Sequence, residues 1–129
     1  MKKNTKSFLV ISKDEFRQKL NERISIGNEL ISRKIITDEE LQNYKTIVSQ
    51  WIDYNKELLK QSFDNPDNEY LKAYKNSLPF GDNFLGSRTI QSETDRYKKR
   101  ITKYSSYLEK LLNKIDLISV KETSNNAWL

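Results

Sequence analysis

Residues 89–118, TIQSETDRYKKRITKYSSYLEKLLNKIDLI, set Ile90, Thr94, Tyr97, Ile101, Tyr104, Leu108, Leu111, Ile115 and Ile118 at alternating steps of four and three, over four heptads without a slip. That period places all nine side chains along one side of a helix, as a coiled-coil-like seam. The spacing predicts a helix over 89–116, about 40 Å long at 1.5 Å per residue.

Working outward, Thr37-Asp38-Glu39-Glu40 is a capping box, and its acids also suit the positive end of a helix dipole. A helix over 38–62 follows, with a seam of Leu41, Tyr44, Val48, Trp51 and Leu58, and Asn55 fills the gap in that seam. Ile47, Ile52, Tyr54 and Leu59 widen the stripe, so this helix is expected to touch more than one neighbour. Its length matches that of the 89–116 helix, and the two are read as antiparallel partners. A third long helix, 13–34, starts at the Ser12-Lys13-Asp14-Glu15 box and covers that pair through Phe16, Leu20, Ile24, Gly27 and Leu30 or Ile31. Glycine inside a helix costs about 1 kcal/mol relative to alanine, so Gly27 marks either a close crossing, the reading adopted, or a bend.

Between the second and last helices, Asn65 suits an N-cap and Pro66 a first helical position, which predicts a short helix over 66–76 carrying Tyr70, Leu71 and Tyr74. Residues 78–86 hold Pro79, Gly81 and Gly86 and read as a loop whose aromatic side chains tuck back onto the bundle. The expected fold is all-α: an elongated helical bundle of three long helices and one short one, dominated by a long antiparallel hairpin. It forms a single domain over 13–118, between a basic N-terminal tail (1–12) and a polar C-terminal tail (119–129). The ending on Ala127-Trp128-Leu129 invites further chain or a partner.

Composition narrows the chemistry. The 129 residues suffice for one domain, and 36% hydrophobic against 32% charged residues suits a thin helical core. Mean hydropathy is −0.83. With no Cys and no His, disulfides, thiol nucleophiles, Cys/His zinc sites and imidazole-based triads are excluded. Three Gly and two Pro are too few for a phosphate-cradling glycine loop. Asp53 and Glu57 lie four apart but lack an opposing pair, so no metal, cofactor or catalytic residue is expected, and the chain is read as a non-enzyme. Phe8–Ile11 is too short for a membrane span or a signal-peptide core, which leads to a cytoplasmic reading with no membrane partner.

Two groups of residues are candidates for function. Gly27, Trp51, Tyr54 and Asn55 are interaction or register candidates, because a polar member in a seam fixes register or partner choice. The tyrosines, 7 in all, are otherwise expected in the core. The net charge of +5 is concentrated at Lys2, Lys3 and Lys6 and on the last helix. There Arg96, Lys99, Arg100, Lys103 and Lys110 lie off the seam as a possible nucleic-acid face, or more simply as a solvated one. No aromatic residue alternates with these cations to form a base-stacking platform. The leading expectation is a module for protein–protein interaction or self-association, the alternative a basic helical nucleic-acid-binding protein.

Arg23-Ile24-Ser25-Ile26-Gly27-Asn28-Glu29-Leu30, Trp51-Ile52-Asp53-Tyr54-Asn55-Lys56-Glu57-Leu58-Leu59 and Phe63-Asp64-Asn65 together resemble the helical N-terminal module found ahead of TIR-like nucleotide-binding domains in bacterial proteins. The resemblance covers roughly residues 13–76. It implies a part that senses, scaffolds or self-associates while another domain handles the nucleotide, in a setting of antiphage defence. These 129 residues contain no such second domain, so the resemblance carries over no NAD-cleaving activity and no catalytic residue.

Overall fold

The computed structural model describes residues 6–78 and 88–121. Within them the fold is an all-α bundle of four helices: α1 (Lys13–Ser32), α2 (Asp38–Gln61), α3 (Glu69–Lys75) and α4 (Ile90–Asn113). A single 3-10 turn, Ile115–Leu117, follows α4.

The ends form where hydroxyl and amide side chains satisfy orphan N–H groups. The Ser12 hydroxyl accepts from Glu15 N–H at α1. Thr37 and Glu40 form the full reciprocal box at α2, and Thr89 and Ser92 do the same at α4. At α3 the cap is Asn68 rather than the expected Asn65, so the helix starts three residues later than Pro66 suggested. Asn68 wins because it serves two helices. Its carbonyl oxygen accepts from Leu71 N–H at 2.8 Å, while its amide donates to Leu59 O at 3.0 Å, within the last turn of α2, and to Asn65 O at 2.9 Å. Asn65 accepts instead from Asp67 N–H, an Asx turn.

All five stripe residues of α1, Phe16, Leu20, Ile24, Gly27 and Leu30, are buried. On α4 the seam runs into the core at Thr94, Ile101, Tyr104, Leu108 and Leu111 and continues beyond the helix to Ile115 and Ile118. In α2 the buried line is Leu41, Tyr44, Val48, Trp51, Asn55 and Leu59, whereas Leu58 stands half-buried beside it.

The helix arrangement corrects the expected pairing. α1 is antiparallel to both other long helices. Against α2, Leu30 O meets the Tyr44 hydroxyl and Arg23 meets Trp51 and Asn55. Against α4, Lys13 meets Asp116 and Arg33 O meets Lys98. Consequently α2 and α4 run parallel, with Lys45 at Glu93 near their starts and Leu9 bridging to Phe63 and Val120 just past both ends. The antiparallel hairpin is α1–α2, and the most extensive packing is α1 on α4. The reason is the connection: the segment between α2 and α4, with α3 in it, returns the chain to the end of the bundle where α2 began.

Leu9 is fully buried, so the segment read as a basic tail reaches into the core. Its N–H donates to Ser119 O, and its carbonyl accepts from Lys121 N–H. On the other side Val10 N–H donates to Ser62 O and Asp64 N–H to Phe8 O. These bonds tie the start of the chain to the ends of α2 and α4, and they hold Ser119–Lys121, read as part of a polar tail. The loop expected over 78–86 lies outside the described residues from Pro79 onward, as does the Ala127-Trp128-Leu129 ending. No described helix is long and apolar enough to cross a membrane.

Candidate functional site

Trp51, Tyr54 and Asn55 converge on one residue that sequence reasoning assigned no role, Arg23, and Gly27 packs against Trp51. Leu20, Ile24 and Gly27 point into the core, and Arg23 flanks that stripe on the side facing α2. Its Nε donates to Asn55 Oδ1 at 2.8 Å, and its Nη2 lies 3.5 Å from Trp51 O. Its own backbone carbonyl accepts from Trp51 Nε1 at 3.0 Å. The guanidinium stands 4.1 Å from the centroid of the Tyr54 ring, in cation–π geometry. Desolvation lowers the Arg23 pKa from its usual value, the neighbouring tyrosines and Glu22 opposing that shift.

Asn55 is fully buried, and both its side-chain oxygen and its nitrogen are hydrogen-bonded. Opposite Arg23, its amide donates to the Tyr74 hydroxyl at 3.0 Å, which in turn donates to Ile52 O at 3.3 Å. The polar chain thus connects α1, α2 and α3, and Tyr74 extends the contact to α4 by stacking on Tyr104 with centroids 4.5 Å apart. Burial raises the Tyr74 pKa, keeping this hydroxyl a neutral donor. Gly27 lies at a close crossing. A Cβ there would stand 2.7 Å from Ser105 Oγ, 2.8 Å from Trp51 Cζ2 and 3.4 Å from Ile101 Cγ2, so the approach is by side chains of α2 and α4.

Tyr54 is the most exposed of this cluster, at 55%, Arg23 is half-buried, and Trp51 is 3% exposed. Tyr54 borders a groove of about 260 Å3 lined by Ile11, Lys19, Glu57, Leu58, Gln61 and Ser62. That volume lies below the ordinary range for a small-molecule site and suits one or two side chains. The groove is apolar at Ile11, Leu58 and the Tyr54 ring, and Lys19 and Glu57 bring one charge of each sign to its lining.

The second candidate group lies elsewhere. Lys99, Lys103 and Lys110 are exposed on α4, and Arg96 and Arg100 are half-buried beside them. Arg100 stands 5.1 Å from the centroid of the Tyr97 ring, and Lys45 of α2 stands 5.9 Å from it. Near the start of α4, Glu93 forms a 2.7 Å bridge to Lys45, which holds its carboxyl below the usual range. Among the described residues no three carboxylates converge as a metal-ligand set. Arg23 could have been suspected from sequence as a cation on the edge of an apolar stripe, facing a helix that carries an asparagine in its seam.

No family model, curated protein or solved structure matches this chain.

Proposed function

We propose that the protein is a non-enzymatic interaction module that holds a segment of a partner protein in the groove between α1 and α2. The observation that carries this reading is Tyr54, more than half exposed yet fixed beneath the Arg23 guanidinium. Tyrosine and arginine are the residue types over-represented among interface hot spots, and a ring already held in place loses little entropy on binding. The occupant that fits has an apolar side chain for the Ile11–Leu58–Tyr54 surface and polar groups for Lys19 and Glu57. The heptad seams of α2 and α4 are buried within one chain, which favours this groove over seam sharing as the contact. The resemblance to modules beside TIR-like domains supports a partner that handles a nucleotide in bacterial antiphage defence.

Photo-crosslinking tests the reading. Benzoylphenylalanine at position 54, in the protein's own cells, is expected to trap one discrete species that Arg23→Gln abolishes, while the same probe at Glu109 does not trap it. A trapped species of twice the chain mass would identify a second copy as the partner. Equal trapping from both positions, or none, would overturn the groove.

A further inference from the structure

The α4 surface is a separate feature, and we infer that it binds double-stranded nucleic acid through the phosphate backbone. From Arg96 to Leu108 the helix carries five cations and no acid. These cations neighbour each other at helical spacing: Arg96 with Lys99 and Arg100, and Lys103 with Lys99 and Arg100. Like charges three and four residues apart repel along a helix. Elsewhere the same fold pairs some of its charges at that spacing, as in Arg17 with Asp14, Arg33 with Glu29 and Lys56 with Asp53. Lys99, Lys103 and Lys110 form no ion pair among the described residues, although all three are exposed. A solvated face made for stability alone would intersperse acids here. Three exposed lysines along one side of the helix, Lys99, Lys103 and Lys110, are what a polyanion neutralises, through the release of its counterions.

The geometry selects the partner. Arg96 to Lys110 spans about 21 Å along the helix, several phosphates of a duplex strand. A single strand would need exposed rings to stack on, but Tyr97 is flanked by Arg100 and Lys45, and Tyr107 packs beside Tyr74. Between residues 96 and 110 there is no Asn or Gln to pair with adenine edges, and the exposed polar side chains Thr102 and Ser106 are short, so any base contact would fall to the same Arg and Lys side chains that meet phosphate. Phosphate contact therefore carries the affinity.

Fluorescence anisotropy of a labelled 20-base-pair DNA duplex of mixed sequence tests this on the full chain. Five phosphate contacts predict a slope of about −4 to −5 in log K against log salt, a loss of roughly 500-fold between 50 and 200 mM. Lys99→Gln/Lys103→Gln/Lys110→Gln should flatten the slope by about 3, with its melting temperature unchanged or raised. Lys34→Gln/Lys60→Gln/Lys75→Gln, the same charge removed from other exposed positions, should keep the steep slope. No binding at 50 mM salt would overturn the inference. So would equal losses in the two triple variants, tighter binding to single strands, or equal binding to polyglutamate of matched charge.

Discussion

Trp51 and Arg23 hold each other across the α1–α2 interface: the indole N–H donates to the Arg23 carbonyl at 3.0 Å, and the Arg23 guanidinium reaches back to the Trp51 carbonyl at 3.5 Å. The tryptophan is buried and the arginine half-buried, so the exchange fixes register between two helices and positions a cation at the surface. A carbonyl has two lone pairs, and Arg23 O accepts the indole bond without giving up its place in α1.

The third member of that exchange is Asn55, whose carbonyl oxygen takes the Arg23 Nε–H at 2.8 Å. A hydrogen bond to a charged group contributes about 1.5–3 kcal/mol. Asn55→Ala and Arg23→Ala, measured singly and together by urea unfolding, should therefore show a coupling energy of that size. Strict additivity would mean that water replaces the asparagine at no loss.

Gly27 is where propensity and packing disagree. Gly27→Ala gains up to about 1 kcal/mol of helix propensity, yet its methyl would enter the 2.8 Å space beside Trp51 Cζ2. Trp51 is held by its indole bond, and overpacking of this kind costs about 1–3 kcal/mol. The net expectation is destabilisation, partly recovered by Ser105→Ala, which removes the hydroxyl 2.7 Å away. Ser105 Oγ has no hydrogen-bond partner among the described residues, so its removal breaks no bond there. A rise in the unfolding midpoint for Gly27→Ala alone would refute the crossing.

Much of this fold was legible because apolar period is a local signal. The Phe16–Leu30 stripe and the Ile101–Ile118 seam are buried as the spacing requires. Orientation was not legible: a heptad seam reads the same for a parallel or an antiparallel neighbour, and only the long connection through α3 makes α2 and α4 parallel. Nor was the burial of Leu9, whose partners Phe63 and Val120 lie more than fifty residues away. At the site, Asn55 was visible as a polar residue in an apolar line, but its partners Arg23 and Tyr74 come from different helices.

Buried phenols give the protein an alkaline limit. Desolvation raises the pKa of Tyr44 to about 12 and also raises those of Tyr74 and Tyr107, against about 10 in an unfolded chain. Below pH 10 both states are protonated and this contribution is complete. Above it the unfolded state binds fewer protons than the native one, so stability falls as pH rises from about 10 towards 12. Urea midpoints should hold up to about pH 9.5 and then drop. Tyr44→Phe should lose about 0.5–1.5 kcal/mol at pH 8, from its 2.8 Å bond to Leu30 O, and show a shallower alkaline decline. A midpoint flat from pH 8 to 11.5 would contradict the burial of these hydroxyls.

Trp51 and Tyr54 are neighbouring aromatics less than one turn apart, and their opposite exposures, 3% and 55%, predict opposite phenotypes. Trp51→Ala opens a cavity beneath Gly27 and removes the indole bond, for a loss of about 3–5 kcal/mol. Tyr54→Ser removes a ring from the surface and one cation–π contact, about 0.5–1 kcal/mol, while Arg23 keeps its bond to Asn55. If the α1–α2 groove is the binding surface, Tyr54→Ser abolishes partner capture in a chain that melts close to the parent. Tyr54→Phe, which keeps the ring under the guanidinium, retains capture. Should Tyr54→Ser keep full capture, the exposed ring is incidental to function and the partner contacts another face. If it instead unfolds the chain as Trp51→Ala does, the ring is structural, and its exposure is not evidence of a binding surface.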